Sequence, residues 1–219
     1  MREEVLQKIY LFRVAAIARG IPEKSILPLA QALYDGGIRL MEVTYDSSAP
    51  ESFSVTDDAI RALKREFSGR MEIGAGTVIS MECLNRARDA GAEFIISPDV
   101  NPDIISETRK MGLVSVPGAL TPTEIMTAVR AGADIVKLFP AGDMGLTYFK
   151  SVRAPLKHVP LMAVGGITPE NAPDFLRAGA VGLGVSSFLT NRTYIENGEF
   201  EKITRAARTL LSACGQERV

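Results

Sequence analysis

Residues 121–140, TPTEIMTAVRAGADIVKLFP, contain one complete helix-to-strand unit. Thr121 precedes a proline and is followed three positions later by Glu124, which is the capping-box signature of a helix start. Gly132 is typical of a helix end. The near-continuous apolar run Asp134–Phe139 then predicts a strand that is covered on both faces.

The same signals for the start and the end of a helix recur along the chain. Asn101 and Thr168 also precede a proline, so each is expected to cap a helix that begins at that proline. The tripeptide Ala-Gly-Ala occurs at 90–92, 131–133 and 178–180, shortly before apolar runs. Helices and buried strands are therefore expected to alternate. The predicted strands are Leu11–Ile17, Ile38–Val43, Met71–Ile73, Glu93–Ile96, Leu113–Val116, Asp134–Phe139, Val159–Val164 and Val181–Val185.

Eight strands that alternate with helices allow two main architectures, an open doubly wound sheet or a closed barrel. A doubly wound sheet that binds a dinucleotide should carry Gly-x-Gly-x-x-Gly after its first strand. This chain has Ala18-Arg-Gly-Ile-Pro22 there, and the count of eight favours closure. No segment has the composition of a linker. The prediction is an α/β protein with one domain over residues 1–219, a single (β/α)8 (TIM) barrel with an N-terminal helix.

The composition excludes several classes of function. The 219 residues are 46% hydrophobic and 23% charged, with a formal net charge of −1 and no basic run. Neither nucleic acid nor a membrane is therefore an expected partner. The chain has no apolar run of membrane-spanning length and no secretory h-region after Met1. Cys83 and Cys214 lack metal-ligand spacing and are expected to be thiols, which favours a cytoplasmic protein.

Two charged residues interrupt apolar strands, and active-site groups of barrels project from the C-terminal strand ends. If Lys137 points into the barrel, loss of hydration lowers its pKa and frees the amine as a nucleophile. The alternatives are a lysine that extends outward to water or one held in a structural ion pair. Glu42 either pairs with a cation, with Lys137 as one candidate, or carries protons with a raised pKa.

The last two strand-to-helix loops predict a phosphate site. Gly165 and Gly166 follow the seventh predicted strand, and Ser186 and Ser187 follow the eighth. In barrels of this kind these loops bind phosphate through backbone N–H groups and a helix N-terminus.

Weaker signals come from single residues near other strand ends. Arg19 could hold a substrate carboxylate or simply be solvated. Thr77 follows two glycines that let a ligand approach the backbone closely, and it offers a hydroxyl group there; the alternative is that it caps a tight turn. Pro98 is a candidate for the wall of the barrel mouth. His158, the only histidine, precedes the seventh strand and is expected on the surface at the opposite end, so a histidine-based mechanism has no support.

The motifs occur in an order that covers nearly the whole chain. They are Gly36–Thr44, Gly74–Val78, Phe94–Pro98, Val116–Pro122, Val136–Pro140, Val164–Ile167 and Val185–Leu189. In this order the sequence resembles the bacterial 2-keto-3-deoxy-6-phosphogluconate (KDPG) and 4-hydroxy-2-oxoglutarate aldolases, with their 6-phosphogalactonate relatives.

The resemblance implies a class I aldolase, a lyase that cleaves KDPG to pyruvate and D-glyceraldehyde 3-phosphate. It implies that Lys137 forms an imine, that Glu42 shuttles protons, and that Thr77 lies near the pyruvate part of the substrate. It places Gly165, Gly166 and Ser187 at the phosphate. A protonated imine stabilises the carbanion by itself, so no metal and no cofactor are expected. Family members are commonly homotrimers, and a homotrimer is expected here.

The chain departs from the phosphogluconate pattern at two positions. Many such members have an arginine four residues after the glutamate, where this chain has Asp46, and a threonine where it has Val164. The surroundings of Arg19 and the segment 163–171 look more like the phosphogalactonate branch. The preferred substrate therefore stays open among these relatives. The barrel pattern is also compatible with a phosphate-barrel isomerase or epimerase, and with a phosphosugar-binding protein without activity.

Overall fold

The computed structural model describes residues 2–216. Within this range every helix is too short or too polar to cross a lipid bilayer. The helices are α1 Arg2–Phe12, α2 Glu23–Asp35, α3 Phe53–Glu66, α4 Met81–Ala90, α5 Pro102–Lys110, α6 Pro122–Ala131, α7 Ala141–Arg153, α8 Ala172–Arg177, α9 Arg192–Glu196 and α10 Phe200–Ala213. The strands are β1 Val14–Ala18, β2 Leu40–Thr44, β3 Glu72–Gly76, β4 Phe94–Ile96, β5 Val114–Val116, β6 Gly118–Ala119, β7 Val136–Leu138, β8 Leu161–Val164 and β9 Gly182–Val185.

The strands form one parallel sheet in the order β5-β4-β3-β2-β1-β9-β8-β7-β6. Its two end strands, β5 and β6, are consecutive in the chain and are separated only by Pro117. Hydrogen bonds complete the ring there, from Asp134 N to Ser115 O at 3.0 Å and from Lys137 N to Pro117 O at 2.9 Å. Because Pro117 has no N–H group, it divides one strand into two short ones. The predicted (β/α)8 barrel with an N-terminal helix is confirmed.

Buried apolar side chains form two separate clusters, one between the strands and the outer helices and one inside the ring. Leu40 and Ile135 belong to the inner cluster. Side chains of a strand alternate between its two faces. Glu42 and Lys137, each two residues further along, therefore also occupy interior positions, closer to the C-terminal ends of the strands.

Helix α1 closes the opposite end of the barrel. Its Val5 and Ile9 pack in the inner cluster, and Lys8 forms an ion pair with the buried Glu72 at 2.5 Å. The predicted start of the first strand at Leu11 is wrong, because Leu11 is the exposed penultimate residue of α1 and the strand begins at Val14. Apolar content alone did not separate the end of a covering helix from the strand that follows it.

Two of the three predicted helix caps are confirmed. Thr121 forms the capping box with Glu124, and the Asn101 side chain accepts hydrogen bonds from two backbone N–H groups of α5. The Thr168 prediction is wrong, because α8 begins at Ala172. The Asn171 side chain instead accepts from Thr168 N at 2.9 Å and donates to a carbonyl of the preceding loop, which holds this segment as a turn.

Candidate active site

A cavity of about 980 Å³ opens at the C-terminal ends of β1, β7, β8 and β9. Its walls include residues from both predicted phosphate loops and from two of the strand ends that were expected to carry chemistry. The predicted site residues that line this cavity are Arg19, Lys137, Gly165, Gly166, Ser186 and Ser187. The barrel thus brings together groups that are far apart in the chain.

Lys137 reaches the cavity from the middle of β7. Only 5% of its surface is exposed, and its Nζ lies 4.9 Å from the centroid of the Phe139 ring. Burial lowers the pKa of the Lys137 ammonium, and the positive charge of Arg19 lowers it further, while Glu42 opposes the shift. A lysine in this position has more neutral amine at physiological pH than an exposed one, as a nucleophile toward a carbonyl requires.

Glu42 is more completely buried than Lys137, with only 2% of its surface exposed. Burial raises the pKa of its carboxyl group, and the charges of Lys137 and Arg19 partly offset this. Its Oε2 is buried and has no hydrogen-bond partner within residues 2–216. In that same range no ion pair joins Glu42 to Lys137, so the pairing with Lys137 that was one hypothesis for Glu42 is not present, and its role as a proton carrier stays a prediction.

Gly76, at the end of β3, makes room for this carboxylate. A Cβ atom at position 76 would lie 1.6 Å from Glu42 Oε1. The sequence showed glycines in this strand, which often mark a close approach of another group, but not which group approaches.

A second cavity of about 430 Å³ adjoins the first at Arg19, which lines both. Thr77 and Asp46 line it as well. Thr77 has a φ of 57°, an uncommon conformation for a residue with a branched side chain, and such strain is frequent at functional sites. Hydrogen bonds from the Ser48 hydroxyl and N–H group hold the pKa of Asp46 below its usual value, and the positive charge of Arg19 adds to this effect.

A buried polar network fixes the loop that carries Asp46. The Tyr45 hydroxyl donates to Asp57 Oδ1 at 2.7 Å, and Arg86 forms an ion pair with the same carboxylate at 2.6 Å. Burial, followed by the bond to Asp57, raises the pKa of Tyr45, so its hydroxyl stays a donor. Sequence reasoning missed this network, because its members come from the end of β2, from α3 and from α4.

The loop after β8 has the backbone geometry that its two glycines permit. Gly165 and Gly166 have φ values of 91° and 65°, which residues with a side chain rarely adopt. The N–H group of Gly142 donates to Gly165 O at 2.7 Å, and a Cβ at Gly142 would lie 2.5 Å from Gly166 O. Gly142 is a further residue that sequence reasoning missed. The expected helix N-terminus does not follow directly, because α8 begins only at Ala172.

Three residues that the sequence singled out, Glu42, Pro98 and His158, line neither cavity. Pro98 is exposed at the end of β4, and its carbonyl group approaches Gly118, where a Cβ would lie 2.5 Å from it. His158 is exposed at the opposite end of the barrel, as predicted. Cys83 and Cys214 are free thiols, as predicted. The part of the chain that the structure describes contains no group of three or more His, Cys, Asp or Glu side chains placed to hold a metal ion.

The closed barrel holds a buried lysine and a buried carboxylate inside its ring, and the family model and the relatives place the chain in the aldolase class of lyases. The chain belongs to the KDPG and KHG aldolase family, where KHG is 4-hydroxy-2-oxoglutarate, and the family model matches residues 3–206.

The relatives carry two different substrate names. A 2-dehydro-3-deoxy-phosphogluconate aldolase of Treponema pallidum (strain Nichols) is 32% identical over 213 residues, which are 97% of each chain. A 2-dehydro-3-deoxy-6-phosphogalactonate aldolase of Escherichia coli (strain K12) is also 32% identical, over 199 residues that cover 88% of this chain and 94% of the relative. Identity alone therefore does not separate the two sugar acids.

A solved structure adds information about the chemistry of the family. The KDPG aldolase of Legionella pneumophila, with pyruvate captured at low pH as a covalent carbinolamine intermediate, has a TM-score of 0.83 and 26% identity. The match covers 94% of this chain and 97% of that one. Pyruvate is thus bound covalently in a relative with the same fold.

Proposed function

We propose that this protein is a class I aldolase that cleaves KDPG to pyruvate and D-glyceraldehyde 3-phosphate through an imine on Lys137. The observation that carries the proposal is the buried Lys137 amine, whose pKa is lowered and which lines the main cavity. The substrate name of the Treponema relative and the covalent pyruvate of the Legionella structure support it.

The proposed steps follow from the need to accept the electron pair of the C3–C4 bond when that bond breaks. The neutral Lys137 amine adds to the keto carbon C2, and the carbinolamine loses water to give a protonated imine. The imine withdraws electrons from C3, so the C3–C4 bond breaks while the C4 hydroxyl loses its proton. Glu42 accepts that proton and returns one to the enamine carbon, and hydrolysis then releases pyruvate. Such acid–base assistance contributes roughly 10²–10⁴-fold to the rate.

The two anionic ends of the substrate define the proposed roles of the remaining residues. Arg19, between the two cavities, binds the carboxylate next to the keto carbon, with Thr77 beside it. Gly165, Gly166, Ser186 and Ser187 bind the phosphate through N–H and hydroxyl donors. Pro98 is exposed and lines neither cavity, so we propose no role for it in substrate binding.

A second candidate substrate is the 6-phosphogalactonate analogue, and a specific observation favours it. Asp46 lines the same small cavity as Arg19 and interacts with its charge, where the phosphogluconate pattern has an arginine. A carboxylate at this place changes how the carboxylate end of the substrate is held. Values of kcat/KM for KDPG, its galactonate epimer and 4-hydroxy-2-oxoglutarate, measured under one condition, decide among the three substrates.

The mechanism is tested by borohydride reduction in the presence of pyruvate, followed by peptide mapping. We expect a pyruvate-derived adduct on the peptide that contains Lys137, and none in Lys137→Ala. The exposed Lys150→Ala is the matched control and should be trapped like the parent protein. An adduct that persists in folded Lys137→Ala refutes the assignment, and no adduct on the parent protein favours an isomerase or a binding role.

We also propose one domain, a homotrimer and a cytoplasmic location. The barrel includes elements from Arg2 to Ala213, which supports one domain. Ile79 and Met81 are exposed apolar side chains that subunit contacts would cover. The free thiols fit a reducing compartment. Sedimentation equilibrium tests the trimer, and cell fractionation tests the location.

A further inference from the structure

Helix α10 forms the outer wall of the main cavity. Lys202, Arg205 and Thr209 line the cavity beyond the two proposed phosphate loops. Their spacing of three and four residues places them on one face of the helix. Ile203 and Ala207 belong to the buried core instead. The volume of about 980 Å³ is near the upper end of the roughly 300–1,000 Å³ typical of small-molecule sites. A ligand that fills this cavity can therefore contact the side chains of α10.

The charged side chains that line this cavity are all cationic. They are Arg19, Lys137, Lys202 and Arg205, and the described lining includes no Asp or Glu. The Lys202 ammonium group already has partners within the protein. Its Nζ forms an ion pair with Glu199 at 2.7 Å and lies 4.9 Å from the Tyr194 ring centroid. Arg205, in contrast, has no hydrogen-bond or ion-pair partner within residues 2–216. Arg205 is exposed, and it lines the same cavity as Ser186 and Ser187 of the loop after β9.

The proposed phosphate loops supply only uncharged donors, the N–H groups of Gly165 and Gly166 and the hydroxyl groups of Ser186 and Ser187. A phosphate monoester carries a charge of about −1.5 to −2 near neutral pH. Hydrogen bonds from neutral groups leave much of that charge uncompensated in a partly enclosed site. An arginine is the best suited cation, because its planar guanidinium group donates two parallel hydrogen bonds to phosphate oxygens.

We propose that Arg205 is a further specificity-determining residue that binds the phosphate end of the substrate from the α10 side, with Lys202 adding to the local positive field. This inference rests on the proposed function. It predicts that the enzyme distinguishes phosphorylated from unphosphorylated keto acids through a side chain of α10 in addition to the loops after β8 and β9.

The experiment compares Arg205→Gln with Arg208→Gln. Arg208 is exposed on the same helix, lies outside the cavity lining and hydrogen-bonds to Asp35 O, so its replacement removes the same charge elsewhere. We expect Arg205→Gln to raise KM for the phosphorylated substrate roughly tenfold, as the loss of a charge-assisted hydrogen bond predicts. KM for 4-hydroxy-2-oxoglutarate, borohydride trapping with pyruvate, and all values of Arg208→Gln should stay unchanged. Arg205→Lys should recover part of the loss.

Inorganic phosphate provides a readout that does not depend on turnover. Calorimetry should show several-fold weaker phosphate binding to Arg205→Gln than to the parent protein. Equal phosphate binding by the two proteins, no binding by the parent, or an equal rise of KM for both kinds of keto acid overturns the role of Arg205. Weaker phosphate binding by Arg205→Gln in a protein that traps no pyruvate would instead refute the proposed function and leave the anion site standing.

Discussion

Gly76→Ala tests the role of Glu42 without changing any group that takes part in the chemistry. The added Cβ would lie 1.6 Å from Glu42 Oε1 and 2.4 Å from its carboxyl carbon. Ordinary contact between non-bonded heavy atoms needs about 3.5 Å, so the carboxylate must move by roughly 2 Å. Since Glu42 is 2% exposed and packed in the barrel, the movement strains its neighbours. Overpacking of this kind costs about 1–3 kcal/mol of the free energy of unfolding.

The expected result is a fall in kcat of about 100-fold or more, because displacement of Glu42 removes most of its roughly 10²–10⁴-fold acid–base contribution. Pyruvate release, coupled to lactate dehydrogenase, measures kcat, and circular dichroism measures Tm, which should fall by roughly 5 °C. Gly112→Ala is the control, because Gly112 also has a constrained backbone, with a φ of 75°, but nothing within 4 Å of an added Cβ. It should lose stability and keep its kcat. A Gly76→Ala enzyme with near-parental kcat would refute Glu42 as the proton carrier.

Three further predictions concern single residues of the site. Burial raises the pKa of Glu42, so stability is lost as the pH rises above 4.5, the ordinary value. Glu42→Gln should lower kcat by roughly 10²-fold or more, because the acid–base group is lost. It should also raise Tm at neutral pH, and this gain in Tm should vanish below pH 4.5. A gain in Tm that is the same at every pH contradicts the raised pKa as its cause. Burial lowers the pKa of Lys137 from the ordinary lysine value of 10.5. The rate of borohydride trapping with pyruvate should therefore rise with pH and level off below pH 10.5. A rate that levels off only at or above pH 10.5 would be inconsistent with a lowered pKa. Ser187→Asp should raise KM for the phosphorylated substrate roughly tenfold through like-charge repulsion, and an equal rise for 4-hydroxy-2-oxoglutarate argues against a phosphate at this loop.

Much of the fold could be predicted because its signals are local. The capping box at Thr121 and the glycine at position 132 mark the two ends of α6 in the sequence itself. The apolar strands could be recognised because both of their faces are covered. The failures have local causes too. Leu11 is apolar although it lies in the last turn of a helix, and Thr168 precedes a proline although the Asn171 side chain holds that segment as a turn.

The sequence by itself determined the barrel class and singled out Lys137 and Glu42, because a charge within a buried strand stands out in the pattern. Only the tertiary structure decided that both side chains occupy the inside of one ring and that Gly76 makes room for the carboxylate. It also decided that Arg205 shares a cavity with the loop after β8. These facts depend on contacts between residues far apart in the chain, and such contacts leave no periodic or local signal in the sequence.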